Sequence, residues 1–133
     1  MRTRTLALKI MIALLTAVTL FHISVITQLI PYTIVWAGKL NSLKEMYVFE
    51  AFSILSVVFL LTLILLKQYY LKREIESKIL NGILWLFIVL FALNTLGNLF
   101  AKTMLEKVVF TPLTLISAIL IWLIVRKGKE LKE

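Results

Sequence analysis

The sequence predicts an all-α protein: a four-transmembrane-helix bundle, up-down and antiparallel, with both termini cytoplasmic, as one domain over residues 1–133. Three observations predict it. The chain is 61% hydrophobic and 17% charged, with a mean hydropathy of +0.98, whereas a soluble domain is roughly 45–50% apolar and about 25% charged. Long runs almost free of charge recur four times, each close to the roughly 20 residues that cross about 30 Å of hydrocarbon. Lysine and arginine then cluster in alternate connections, the pattern that orients helices in a membrane.

The first run, residues 10–38, is entirely uncharged and longer than one crossing needs. It predicts a helix over about 6–31, ending at Pro31, followed by an outer segment. Arg2 and Arg4 ahead of an apolar run look like a signal peptide, but no small-x-small cleavage site follows, so this helix is expected to be retained. The second run, 47–66, is charged only at Glu50. Ser42-Leu43-Lys44-Glu45 before it has the spacing of a capping box and starts a helix over about 44–68. The third helix is expected over about 78–101 and the fourth over about 104–126, with Thr103 and Glu106 repeating the capping pattern. Pro112 falls about two turns into that fourth helix, where a kink that frees the Val108 carbonyl is favoured over a start with Thr111 as cap.

Eleven of the fifteen basic residues lie in the N-terminus, the 67–78 connection and the C-terminal tail, which puts both termini inside. The remainder are Lys39, Lys44, Lys102 and Lys107. The net charge of +8 is therefore a topology signal, and nucleic acid is not an expected partner. The 67–78 segment and the tail read as solvated, mixed-charge helix ends against lipid headgroups.

Missing residues narrow the chemistry. There is no Cys and one His, and all seven acids are glutamate. Thiolate nucleophiles, multi-His metal sites and aspartyl catalysis are excluded within one chain. No Gly-rich phosphate loop, G-x-S-x-G or H-E-x-x-H is present. No metal and no cofactor are expected. An enzyme would have to use His22 as base and Glu50 as acid, with little else to help.

Polar groups that are costly to bury in a bilayer are the informative ones. With helix 1 leaving the core near Gln28, His22 lies roughly 9 Å below the outer boundary. Glu50 and Asn94 each lie about a turn inside their helices, and Asn94, Asn98 and Lys102 share a face at i, i+4 and i+8. The sequence thus predicts an outer-leaflet polar pocket in which His22, Glu50, Asn94, Asn98, Gln28 and Lys102 bind a solute or carry a proton. Each member has a plainer reading. Ser and Thr bond their own backbone, the asparagines hold helices together, Glu50 pairs with Lys102 or Lys39, and His22 bonds Thr19 or Gln28.

Two segments, Glu45-Met46-Tyr47-Val48-Phe49-Glu50 and Leu93-Asn94-Thr95-Leu96-Gly97-Asn98-Leu99-Phe100-Ala101-Lys102 running on to Phe110-Thr111-Pro112-Leu113-Thr114, with the whole-chain layout, are similar to small four-span bacterial integral membrane proteins without an assigned activity. The resemblance implies a bacterial inner-membrane location and brings no reaction with it. Two functions follow as expectations. One is a transporter or channel for a small solute, ion or proton, working as a homo-oligomer or within a larger membrane complex. The other is a non-catalytic accessory or lipid-binding protein.

Overall fold

A computed structural model describes residues 2–126, in which all the regular structure is helical and there is no strand. Four helices are long and apolar enough to cross a membrane. They are α1 (Arg2–Ile26), α2 (Leu43–Lys72), α3 (Lys78–Leu99) and a fourth span, Glu106–Val125, made of a π-helical turn (Glu106–Phe110) and α4 (Thr111–Val125). Lys127, Lys129 and Lys132, used above to orient the chain, lie outside the described residues.

Helix α1 stops five residues earlier than the sequence suggests. Gln28 adopts φ +61°, and the amides of Gln28 and Ile30 fold back to the carbonyls of Val25 and Ser24 at 2.9 and 3.0 Å. Pro31 disfavours helical dihedrals at the residue before it, so the chain leaves the helix rather than continuing to the proline. Two 3-10 turns follow, Tyr32–Ile34 and Trp36–Gly38.

Helix α2 is longer than expected, because both ends are capped. The Ser42 hydroxyl accepts from the Glu45 amide at 3.2 Å, and the Glu45 carboxylate reaches back to the Asn41 amide at 2.8 Å. At the other end Glu74 takes φ +57°, while the Ile75 amide bonds the Tyr70 carbonyl at 2.9 Å and the Glu74 amide bonds that of Leu71. That pairing is a Schellman motif with a glutamate in the position usually given to glycine. Ser77 then caps α3 through the Leu80 amide at 3.2 Å.

The fourth span resolves the Pro112 question by a third route. Thr103 and Glu106 form the expected box, with the Thr103 hydroxyl donating to the Glu106 carboxylate at 2.6 Å. The backbone then widens by one residue per turn: the Thr111 amide bonds the Glu106 carbonyl, and dihedrals stay right-handed helical through Phe110 and Thr111. A proline has no N–H to return to Val108, and a π turn absorbs that missing bond without ending the helix. The span therefore continues over Glu106–Val125.

Helix α4 is the central element. It packs against both α1 and α3, and 39% of its span is buried, against 17–22% for the other three. Helix α1 also packs against α2, while α2 and α3 touch less extensively. Two apolar clusters result. The larger joins Leu8, Met11 and Leu15 of α1 to Ile64 of α2, Leu84 of α3 and Ile121 and Ile124 of α4. The smaller, at the end carrying the 27–42 connection, gathers Val25, Val35, Leu40 and Met46. Large apolar side chains elsewhere on α2 and α3, such as Phe52, Leu55, Leu86 and Leu93, point outward, as a lipid solvent permits.

Candidate functional site

The smaller cluster roofs a polar group. The Ser42 cap sets the phase of α2, so that Met46 and Glu50, each four residues on, share the face turned inward; both are fully buried. On α1, His22 lies four residues before the helix end, about 6 Å along its axis. Its Nδ1 is 2.6 Å from Oε2 of Glu50. The other carboxylate oxygen, Oε1, accepts the indole N–H of Trp36 at 3.0 Å.

Trp36 reaches that carboxylate from a strained backbone, with φ +53°. Left-handed dihedrals are uncommon for a bulky residue and persist only where other contacts hold them. Here the contacts are the bond to Glu50 and packing on Phe49, with ring centroids 4.8 Å apart. Phe21 sets the edge of the His22 ring, at 5.7 Å and 71°, and meets Phe110 of the π turn at 5.1 Å and 77°. Outside Trp36 lies an open cleft of about 320 Å³ that also touches Lys39, Leu40, Asn41, Glu45 and Phe49. The indole thus stands between that cleft and Glu50.

Chemically, the group can hold and exchange a proton. A neutral imidazole can donate Nδ1–H to the carboxylate, and an imidazolium can do the same with a second proton on Nε2. The indole N–H gives the second carboxylate oxygen its donor.

The remaining predicted members are not brought to this group. Gln28 bonds the Tyr47 hydroxyl at 3.2 Å on the rim of the α1–α2 junction. Asn94 and Lys102 are exposed and Asn98 is half-buried. Helix α3 turns Leu80, Leu84 and Thr95 inward, and Asn94 stands about 100° round the helix from Thr95. The bond that joins α3 to α4 is Thr95 to Thr114, buried, at 2.8 Å. Glu50 pairs with neither Lys102 nor Lys39, and Thr19 bonds the Leu15 carbonyl rather than His22. Thr16, Ser24, Thr27, Ser56 and Thr62 likewise bond the carbonyl four residues back.

Two functional-looking residues escaped the sequence reading. Trp36 reads as an interfacial aromatic, and its role depends on a loop conformation that no local pattern announces. Lys67 is not a solvated helix end: it is buried and donates to Asn81 Oδ1 at 2.6 Å. Helix α2 runs five residues beyond Lys67, which donates from within it across to α3.

The four spans place the chain among small helical membrane proteins. No family model, curated protein or solved structure matches it. Its function must be read from the His22–Glu50–Trp36 group itself.

Proposed function

We propose that this protein is a small transporter or channel of the bacterial inner membrane that moves a proton or small ion through the His22–Glu50 pair. In this reading the helices form an up-down antiparallel bundle with both termini cytoplasmic, so the pair lies in the outer leaflet. Four helices enclose little space, so the working unit is a homo-oligomer.

One observation carries the proposal: a glutamate with no exposed surface, inside a membrane-spanning helix, in 2.6 Å contact with the chain's one histidine. Ionisable groups at such positions are costly and commonly lie on ion and proton pathways. Trp36 would be the outer closing group, since it faces both the cleft and the carboxylate.

The experiment is proton or cation flux into proteoliposomes loaded with a pH-sensitive dye. His22→Ala and Glu50→Gln should each abolish flux while the folded yield is kept. Unchanged flux in both variants would sink the assignment.

A second reading is favoured by a different observation. Among the described residues no buried side-chain nitrogen or oxygen lacks a hydrogen-bond partner, and the Trp36–Glu50 bond fastens the outer connection to the bundle. That suits an accessory or lipid-binding protein in which the pair is a structural clasp. His22→Ala and Glu50→Leu, which break the clasp, would then lower thermal stability or lipid retention, with no flux to lose.

A further inference from the structure

The end of the bundle away from His22 gathers cations. Lys67 lies five residues before the end of α2, about 8 Å along the helix, yet it is only 3% exposed. Its Nζ donates to Oδ1 of Asn81, in the first turn of α3, at 2.6 Å. An ammonium has three N–H donors, and Asn81, a neutral amide, accepts one of them. Arg4 of α1 is within electrostatic range of Lys67, as is exposed Glu76 on the α2–α3 connection. The Arg4 guanidinium donates to the backbone carbonyl of Arg126 at the end of α4. The Arg126 guanidinium in turn lies over Trp122, its Cζ 4.9 Å from the ring centroid.

Three helices therefore bring a cation to one end, and α3 brings the amide. Glu76 is exposed and acts on Lys67 less strongly than Arg4 does, so burying Lys67 near Arg4 costs free energy that a further anion would offset. The depth, within two turns of the helix ends, is that of lipid phosphates. We propose that this end of the bundle is a phosphate-binding site, with Lys67 as the deep ligand and Arg4 as the shallower one. The group recognised is a phosphate ester or inorganic phosphate; an anionic phospholipid headgroup and the free anion share this chemistry. The site differs from the general attraction of surface lysines to anionic membranes, because the residue that anchors it is buried.

The test is native mass spectrometry of the full chain in mild detergent, with phosphatidylglycerol, phosphatidylcholine or inorganic phosphate added separately. One phosphatidylglycerol per chain should be retained, and phosphatidylcholine much less. Lys67→Met keeps the apolar stem and should lower retention about tenfold, the scale of one lost charge-assisted hydrogen bond. A double variant of exposed residues, Lys72→Gln with Arg73→Gln, removes more charge and should retain the lipid. Equal retention by Lys67→Met, or equal loss in the exposed double variant, overturns the site. Should Lys67→Met fail to fold, Arg4→Gln must lower retention severalfold, and unchanged retention in it overturns the site equally. Displacement of the lipid by millimolar phosphate would make the free anion the ligand, and resistance to displacement would make it the lipid.

Discussion

The Nδ1 atom of His22 and the Oε2 atom of Glu50, 2.6 Å apart, tie the end of α1 to the second turn of α2. A nitrogen and an oxygen at that distance hold a proton between them, because two bare lone pairs would repel. The bond depends on that proton, so its loss would change how firmly α1 and α2 are held. Structure and proposed transport chemistry thus reside in the same two side chains, and their variants must be read for both.

Substitutions at Glu50 separate the two roles. Glu50→Gln keeps an acceptor for the Trp36 indole and a donor for Nδ1, so thermal unfolding in detergent should shift little. Glu50→Leu leaves the indole and imidazole unpaired and should cost about 1–3 kcal/mol. Equal stability of the two variants would show that hydrogen bonding at this carboxylate does not hold the bundle together.

Trp36→Phe removes the indole donor but keeps an aromatic ring against Phe49. It should weaken the clasp by about 1 kcal/mol and release the connection that Trp36 fastens from its left-handed dihedral. Lys39 is exposed in that connection, so limited trypsin digestion should cleave after it faster in the variant. Identical cleavage rates would mean that packing alone fixes the loop.

The Thr95 and Thr114 hydroxyls lie 2.8 Å apart between α3 and α4, so that one donates across to the other while the acceptor donates to the carbonyl four residues back. Interhelical hydrogen bonds in membranes average about 0.6 kcal/mol and reach about 1.7. Thr95→Val and Thr114→Val should each destabilise on that scale, and the double variant should cost no more than either alone. Additive losses would mean that the two hydroxyls act independently.

The absence of cysteine makes the topology directly testable. Single cysteines at exposed Asn41 and Ile75 should react oppositely with a membrane-impermeant maleimide in intact cells. Asn41→Cys should label at once and Ile75→Cys only after permeabilisation. Reversed labelling would place the His22–Glu50 pair in the cytoplasmic leaflet.

Much of the site lies beyond sequence patterning for identifiable reasons. His22 and Glu50 stand out because an ionisable group in an apolar run is conspicuous at any depth. Asn94 and Asn98 stand out equally, yet α3 turns Thr95 inward and leaves Asn94 exposed. Hydrophobic periodicity does not choose between those faces, since lipid and bundle interior are both apolar. Helix ends proved more legible where side-chain caps act, at Ser42 and at Thr103 with Glu106, than where backbone dihedrals decide, at Gln28 and Glu74.

By itself the sequence determined the four spans, their capped starts at Ser42 and Thr103, and the narrow set of reactive groups, because span length, cap chemistry and missing residue types are local or compositional properties. Only the tertiary structure decided the partners. Glu50 meets Trp36 because a positive-φ turn carries the indole back over α2. Lys67 meets Asn81 because α2 runs on to a Schellman cap beyond it. Both pairings join residues 14 positions apart through a connection whose course is set by backbone conformation rather than by hydrophobic pattern.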